Sequence, residues 1–448
     1  MDDFKNVTDR LQEDSKTPQL PDQLDCYIAK GMTKARTHKG RITKRRWFAT
    51  AIACMLIMAM VTSVRVSPAF AQFISQLPGG QTIVDLVHYD KGLQDALDHD
   101  YAIPVGVSDE HFGLRLTIEG MTIDESRIVL FYSVTNKRDF ETVTLSALSF
   151  GDTLKKYSLG LGTTHDFTEE NTVYGKVDIH LSEQAELPDV LAVEAKLRAE
   201  NEARYVDTSD VSWRMAIPID RASFEGLQEH FELDKTVEFA GQKVTFKEVT
   251  IYPTRTLLRV TYDEENEYQI FSLEGLSMTN EKGQRWEMTS EGVTGTQYSD
   301  DDRTYHLDSS FFHESEHLYL EVPRVRALPK SETEMIIDTH KDEIVKAPRG
   351  LNLEVTSEDL SGVKWYEFEV PLDPTFDRTD ITYQYIDRSV KNKMGEEVAY
   401  VNAISGGYND GEGQSFGIKK PNTAEEHIVL KIIDYPNRLH GDVQIQIK

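Results

Sequence analysis

The chain is short of cysteine and of recognisable catalytic motifs. Only two of its 448 residues are cysteines, Cys26 and Cys54, so nothing after Cys54 can be crosslinked by an internal disulfide. The long C-terminal part must therefore be held by its own hydrophobic cores, and its length predicts two or three domains. It contains no phosphate-binding glycine loop, and it has no cysteine for thiol chemistry. The sequence predicts neither an enzyme nor a cofactor site.

Positive charge is also scarce over most of the chain. Residues 1–46 hold 11 basic and 7 acidic side chains, a net charge of +4. Residues 66–448 hold 37 basic and 69 acidic side chains, a net charge of −32. Such an acidic surface repels nucleic acid and anionic lipid, so we expect no nucleic-acid partner.

A basic tract leads directly into a long apolar run. Eight Lys or Arg and no acid lie between Lys30 and Arg46, and the 18 residues Trp47–Val64 carry no charge. At about 1.5 Å per residue this run covers roughly 27 Å, close to the thickness of a bilayer's hydrocarbon core. With the positive flank kept inside, the pattern predicts a single-pass cell-membrane protein. Residues 1–46 would be cytoplasmic, 47–65 a transmembrane helix and 66–448 extracellular.

A cleaved signal peptide is the alternative interpretation of this run. Pro68-Ala69-Phe70-Ala71 has the small-x-small pattern that signal peptidase reads. The 46-residue N-region, the 18-residue apolar core and the intervening Arg65 favour a retained anchor instead. Ala69 and Ala71 remain a candidate site of regulated cleavage.

The predicted cytoplasmic arm carries two apolar stripes at helical spacing. One lies in the first dozen residues, and the other lies in a predicted helix from Asp22 to about Thr37, after two prolines. Two helices this short cannot bury their stripes on each other, so we expect them to bind a partner protein. The alternative is a disordered or membrane-surface arm with accidental periodicity. The candidate partner-binding residues are Phe4, Val7, Leu11, Leu24, Tyr27, Ile28 and Met32.

After a predicted juxtamembrane helical segment at 66–104, the apolar period changes to two. Short alternating segments separated by turn residues predict an all-β sandwich. Residues 112–130 match residues 240–258 without a gap at an offset of 128, and Arg127 coincides with Arg255. Trp213–Asp220 also resembles Trp365–Asp373. This repetition predicts two tandem sandwiches at 105–220 and 221–373 and a C-terminal β domain at 374–448.

Three local patterns suggest metal binding. His313-Glu-Ser-Glu-His317 fits the H-E-x-x-H zinc formula, which requires a helix, yet the following Leu318–Val322 alternates like a strand. Asp300–Asp302 and Asn409–Glu412 are acidic loops without the ligand ladder of an EF-hand. We interpret all three as loops and predict no metal ligand.

Several short motifs carry a resemblance to a known family. Arg65–Ala71, Ile74–Gly79, Ile83–Leu86 and Asp90-Lys-Gly-Leu93 resemble a family of Gram-positive single-pass membrane proteins, over roughly residues 40–135. That family has domains of unknown function with an extracellular immunoglobulin-like region. Its members are often described as anti-sigma factors or as regulators of extracytoplasmic-function sigma factors. The resemblance carries over no functional residue, and the arm lacks a His-x-x-x-Cys-x-x-Cys zinc motif.

These observations give a mainly β protein with tandem immunoglobulin-like β-sandwiches outside the membrane, one transmembrane helix and a short α-helical cytoplasmic arm. Our functional hypothesis is a signalling regulator whose external domains sense an envelope signal while the arm binds a sigma factor. The alternative is a structural or adhesive surface protein whose sandwiches bind wall polymer or another protein.

Overall fold

The structure is a computed structural model that describes most of the chain beyond residue 85. All described residues belong to one compact unit, Pro68–Lys448. None of their helices is long and apolar enough to cross a membrane. The predicted span, the cytoplasmic arm with its candidate partner-binding residues, and Ala69 and Ala71 lie outside the described residues. These are 86–448 without 89, 160–163, 168–170, 183–184, 202–203, 208–210, 290–293, 356–364, 374, 378–382 and 401–412.

The described residues are mainly β, as predicted, and begin with one short helix, α1 (Lys91–Asp98). Ten strands then form a first sandwich-like pair of antiparallel sheets around one apolar core. These strands are β1 (Ile103–His111), β2 (Leu114–Ile123), β3 (Arg127–Asn136), β4 (Thr142–Ser149), β5 (Tyr157–Leu159), β6 (Thr164–Asp166), β7 (Thr172–Leu181), β8 (Val190–Asn201), β9 (Arg204–Asp207) and β10 (Trp213–Pro218). Their sheet orders are β1-β2-β3-β7-β5 and β10-β8-β4-β6, with β9 paired to β8.

A second sandwich with its own core follows a short 3-10 turn at Arg221–Ser223. Its strands are β11 (Glu229–Phe239), β12 (Gln242–Ile251), β13 (Thr256–Tyr262), β14 (Tyr268–Glu274), β15 (Ser277–Asn280), β16 (Arg285–Glu287), β17 (Gly295–Gln297), β18 (Asp302–Leu307) and β19 (Leu318–Pro329). The sheet orders are β11-β12-β13-β18-β17 and β14-β19-β15-β16. Strands β2 and β8 recur as β12 and β19 at the offset of 128 that the sequence repeat shows.

The two-residue turns that open the repeats have the same backbone conformation. Phe112 and Gly113 have φ of 54° and 80°, and Ala240 and Gly241 have φ of 49° and 83°. Positive φ at both central residues is the type I′ geometry, whose twist matches that of two antiparallel strands. The second position requires glycine because a side chain there is strained. We therefore call the sandwich that begins with strands β1–β3 the first repeat. The sandwich that begins with strands β11–β13 is the second repeat.

Strand β3 is buried on both of its faces. Ile128, Leu130 and Tyr132 point into the first sandwich core. Val129 and Phe131 form a separate apolar cluster on the outer face together with residues of α1 and its flanks. This explains why Ile128–Val134 is a continuous apolar run rather than an alternating one, because a strand covered on both faces has no solvent side. Helix α1 thus covers the outside of the first sandwich.

The chain beyond residue 329 divides differently from the predicted boundary at residue 373. A 3-10 turn at Lys330–Glu332 leads into a third pair of sheets with its own core, ordered β21-β20-β27-β24-β25 and β22-β23-β26. Its strands are β20 (Glu334–Asp338), β21 (Glu343–Lys346), β22 (Asn352–Val355), β23 (Trp365–Pro371), β24 (Ile386–Lys391), β25 (Glu397–Tyr400), β26 (Gly413–Lys419) and β27 (His427–Ile432).

The strand that completes the second sandwich is β28 (Arg438–Gln446), not the Trp365 segment. In the first repeat β10 pairs with β8, and in the second repeat β28 pairs with β19, the counterpart of β8. The prediction that Trp365–Asp373 closes the second sandwich, drawn from its resemblance to Trp213–Asp220, is wrong. An alternating strand that begins with Trp fits any two-sided sandwich, and its local pattern carries no information about its pairing partner. The third pair of sheets is thus inserted between β19 and the last strand of the second sandwich.

Candidate functional site

Helix α1 is attached to the first repeat through the residue that caps it. An Asp90 carboxylate oxygen accepts a hydrogen bond from the Leu93 amide at 2.8 Å, which satisfies one of the free N–H groups of the first helical turn. The same carboxylate accepts from both terminal nitrogens of Arg127, at 2.8 and 3.2 Å. Asp90 and Arg127 are 4% and 2% exposed. The cap of the helix is therefore also a buried ion pair with β3.

Arg127 uses its remaining donors to contact the second repeat. Its Nε donates to the Thr254 hydroxyl at 2.9 Å, and its Nη2 donates to the Thr254 carbonyl at 2.7 Å. Its Nη1 also donates to Asp178 at 3.0 Å. Burial disfavours a charged guanidinium, but the carboxylates of Asp90 and Asp178 outweigh it and raise the pKa of Arg127. A fully buried arginine is tolerated here because its hydrogen bonds are made.

The turn at Asp124–Arg127 is hydrogen-bonded to the turn at Tyr252–Arg255. One oxygen of Asp124 accepts from the amides of Ser126 and Arg127, at 2.9 and 3.0 Å, and so closes its own turn. Its other oxygen accepts from the amide of Thr254 at 3.0 Å and from the Thr254 hydroxyl. Asp124 is 1% exposed, and Thr254 is fully buried. The Asp124 carboxylate therefore joins the two turns, together with the hydrogen bonds from Arg127 to Thr254.

Arg255, the repeat counterpart of Arg127, reaches the carboxylate of Asp178 from the other side. Its Nη2 donates to Oδ1 of Asp178 at 3.2 Å, while Oδ2 of that residue is bound to Arg127. Its Nη1 contacts Nδ1 of His180 and lies 3.1 Å from Nδ1 of His306. Asp178 on β7 thus joins the arginines of both repeats. We call this set of residues the junction: Asp90, Asp124, Arg127, Asp178, His180, Thr254, Arg255 and His306.

Burial and neighbouring charge move the pKa values of the junction in different directions. Burial and the Arg255 guanidinium lower the pKa of His180 to about 4, which keeps its ring neutral and able to accept from Arg255. Burial acts to raise the pKa of Asp178, but the two arginines lower it to about 2. Burial and Arg127 lower the pKa of Arg255 to about 10. At neutral pH the ionised carboxylate of Asp178 therefore lies between two charged guanidinium groups, and the ring of His180 is neutral.

A loop of the second repeat covers helix α1 from the other side. A Cβ added at Gly92 would lie 2.6 Å from the Thr254 carbonyl oxygen and 2.8 Å from the Ser309 amide nitrogen, so only glycine permits this approach. His313 contacts Asp95 at 2.9 Å across the same contact. Burial and the nearby Asp90 raise the pKa of Asp308 to about 6. The helix is thus held by side chains from both repeats.

The motif Asp90-Lys-Gly-Leu93 has a structural explanation in these contacts. Asp90 caps the helix and binds Arg127, and Gly92 lets the helix approach the Thr254 turn. Leu93 is fully buried in the outer apolar cluster on β3, and Lys91 donates to the carbonyl of Arg285 at 3.0 Å. In the sequence alone, this motif indicates a family resemblance and gives no sign of these contacts. The coincidence of Arg127 with Arg255 was the one signal that pointed to the junction.

Two of the three metal-like sequence patterns lie within the described residues, and neither brings a group of metal ligands together there. His313-Glu-Ser-Glu-His317 lies in a loop, where His313 contacts the helix and the amide of His317 donates to Glu281 at 3.1 Å. In the acidic run, Asp300 pairs with Lys431 at 2.7 Å, and Asp302 pairs with Arg259 at 3.0 Å. The loop at 409–412 lies outside the described residues.

One other group in the described part of the chain has the side chains of a metal site. Donor atoms of Asp338, Glu426 and His427 all lie within 4.8 Å of one another. The Asp338 carboxylate already accepts from the amides of His340 and Lys341, at 3.0 and 2.9 Å, and pairs with the Lys341 ammonium at 3.1 Å. A metal ion would have to displace that ammonium.

Comparison with known proteins gives two family matches. Residues 41–136 match the family model of a domain of unknown function (DUF4179), and residues 228–358 match that of a family of unknown function (DUF5643). No curated protein matches the chain. Among solved structures, a conserved domain protein from Bacillus anthracis is similar over 55% of this chain and 84% of its own, with 14% identity and a TM-score of 0.38. The chain therefore contains segments that fit two families of unknown function. The junction draws Asp90 and Arg127 from one match, and Thr254 and Arg255 from the other.

Proposed function

We propose that the chain is a membrane-anchored signalling regulator of the anti-sigma-factor type. In this proposal residues 47–65 form a single transmembrane helix, and the immunoglobulin-like sandwiches sense an envelope signal on the outside. The cytoplasmic arm binds a sigma factor through the stripes that contain Leu24 and Ile28. Release of the arm, through a change in the stalk or cleavage at Ala69 or Ala71, would then free the sigma factor.

The observation that carries this proposal is the attachment of helix α1 to both repeats. The helix begins at residue 91, only 26 residues beyond the end of the proposed span. Its cap Asp90 is buried against Arg127, which in turn binds Thr254 of the second repeat. A movement of one sandwich relative to the other changes these contacts and so acts directly on the segment that leads to the membrane. A simple adhesive protein would need no such attachment of its stalk.

Co-purification tests the cytoplasmic half of the proposal. Full-length chain, solubilised from cells of its native host, should retain a sigma factor that is identified by mass spectrometry. Leu24→Asp with Ile28→Asp should remove it, because two charges enter the apolar stripe. Ala29→Asp with Thr33→Asp adds the same charge on a different helix face and should retain the sigma factor. Absence of any sigma factor from the wild-type preparation would refute this half.

Labelling of intact cells tests the proposed topology. A membrane-impermeant maleimide should react with a cysteine introduced at the exposed Lys155, whose side chain is 70% accessible. The native Cys26 should react only after the membrane is permeabilised. Labelling of Cys26 in intact cells would place the arm outside and contradict the proposal.

A further inference from the structure

The contact between the two repeats is mainly polar, with an aromatic part in which the Phe312 ring lies against His99 and Tyr101, whereas each repeat has an apolar core of its own. The two sandwich cores share no residue, and the apolar cluster under helix α1 contains residues of the helix region and of the first repeat alone. In the described residues the repeats are joined through the junction, where Asp124 binds Thr254 and Asp178 binds both arginines. Polar contacts of this kind between domains permit relative motion more readily than a shared apolar core does.

Helix α1 supplies a charge that this polar contact needs. Arg127 has two hydrogen bonds to Asp90, two to Thr254 and one to Asp178. If the helix leaves, Arg127 keeps Thr254 but must share the single carboxylate of Asp178 with Arg255. A buried Arg127 then has less negative charge around it than its guanidinium needs, which favours entry of water and separation of the two turns.

The same contacts work in the opposite direction. If the second repeat moves away, the Thr254 turn and the Ser309 backbone no longer pack against Gly92. Arg127 then loses both acceptors on Thr254, and the contact of Asp95 with His313 is broken. Water reaches the pair of Asp90 and Arg127 and weakens their attraction. The helix is therefore held firmly only while the repeats are together.

We propose that helix α1 is a releasable strap, and that its docking and the association of the two repeats form one coupled equilibrium linked by the Asp178 bridge between Arg127 and Arg255. A ligand or force that separates the repeats releases the helix, and a docked helix stabilises the closed repeats to the same extent, since coupling between sites is reciprocal. The inference deepens the proposed function and rests on it for the direction of the signal, while the coupling itself belongs to the fold.

Amide hydrogen exchange of the purified full-length chain in detergent tests the coupling from both ends. Arg255→Met removes a side chain whose hydrogen bonds go to Asp178, His180 and His306 and not to the helix. It should nevertheless speed amide exchange in the peptide over 91–101. Asp90→Asn keeps a good helix cap but removes the charge, and it should speed exchange in the peptide over 252–258. Typical coupling between sites predicts an acceleration of about 5- to 150-fold in each distant peptide.

Two matched variants separate the coupling from general destabilisation. Arg259→Met removes a partly buried arginine of β13, four residues beyond Arg255, that pairs with Asp302 within the second repeat. Asp98→Asn changes an exposed acid at the end of the same helix. Both variants should leave the exchange rate of the distant peptide within about twofold of the wild-type rate. A tenfold change would require about 1.4 kcal/mol. If either junction variant accelerates only its own peptide, the repeats and helix are not coupled and the proposal is wrong.

A further variant covers the case in which Arg255→Met fails to fold. Asp178→Asn preserves the shape of the bridging side chain but removes its charge, and it should accelerate both peptides together. Coupled exchange without any bound sigma factor would leave the strap intact and refute only the proposed function. Sigma-factor binding without coupled exchange would refute only the strap.

Discussion

Replacement of Asp308 by asparagine should strengthen the docking of helix α1 at neutral pH. Asp308 lies directly after β18, and burial together with the charge of Asp90 raises its pKa to about 6. At pH 7 this carboxylate is therefore ionised, although burial and the charge of Asp90 make its negative charge costly. The Asp308→Asn substitution would remove that charge while keeping an acceptor for the Gly92 amide, which hydrogen-bonds to the carboxylate of Asp308.

The sign and size of this effect follow from proton linkage. With the helix docked, the pKa of Asp308 is raised from its ordinary 3.8 to about 6, so between these pH values the docked state binds more protons than a released state in which Asp308 faces water. Docking therefore weakens as the pH rises from about 4 to 6, and the full cost is present above pH 6. Two pKa units correspond to an upper limit of about 3 kcal/mol, and partial exposure reduces this to about 1–2 kcal/mol. Asp308→Asn should recover this amount at pH 7 and almost none of it at pH 4.

His180 titrates with the opposite sign. Burial and Arg255 lower its pKa from 6.5 to about 4, so stability is lost as the pH falls through this range, by at most about 3 kcal/mol. On acidification of the wild-type chain the two contributions oppose each other: Asp308 strengthens docking by about 1–2 kcal/mol, and His180 lowers stability by at most about 3 kcal/mol. In Asp308→Asn the loss due to His180 is no longer compensated, so docking of the helix should weaken on acidification.

Hydrogen-exchange protection of residues 91–101 at pH 7, 5.5 and 4, corrected for intrinsic exchange rates, measures both effects. Asp152→Asn, at a side chain that is 98% exposed, controls for the loss of one negative charge. A lower protection of Asp308→Asn than of wild type at pH 7 would refute the reasoning. Parallel pH profiles for the two proteins would do the same, because they would mean that Asp308 does not titrate with helix docking.

Three further outcomes are expected. Gly92→Ala should destabilise helix docking by about 1–3 kcal/mol through overlap with Thr254, although alanine favours a helix, and Gln94→Ala should show no such loss of exchange protection. Deletion of residues 438–448 removes β28 and should make the second sandwich, but not the first, sensitive to limited proteolysis; equal sensitivity of both would contradict the strand assignment. Arg438→Met removes one of the two cations that the buried Asp377 binds and leaves it paired with Arg326, so exchange at 372–377 should rise by an amount that corresponds to about 1.5–3 kcal/mol.

The sequence was sufficient to predict the β-rich class and the repeated hairpins, because alternation and turn chemistry are local. The turns at Gly113 and Gly241, which recur at the offset of 128, each connect two neighbouring strands and are therefore visible in a short stretch of sequence. The pairing of β28 with β19 was missed because 108 residues separate β19 from β28 along the chain. A local pattern such as that of Trp365 records which faces of a strand are apolar, and it does not record which strand lies beside it.

The junction could not be derived from the sequence for a related reason. Its bonds join residues 37, 51 and 127 positions apart, such as Arg127 with Asp90, Asp178 and Thr254. Each is an ordinary polar residue in its local context, and polar residues are expected at the surface. Their burial results only when two sandwiches and a helix come together. The offset of 128 marked Arg127 and Arg255 as equivalent, but it gave no reason to expect both to bind one carboxylate.

The asymmetry between these two arginines is the strongest argument that the repeats have divided their roles. Equivalent residues of a duplicated hairpin could each have bound a helix, yet only Arg127 has the aspartate that caps α1 as its partner among the described residues. Arg255 has His180 from the first repeat and His306 from its own repeat in that place. One arginine therefore binds the segment that leads toward the proposed membrane span, and the other binds the neighbouring sandwich. Because Asp178 binds both, a change at that one carboxylate should disturb the helix and the repeat contact together, which no change within either sandwich core would do.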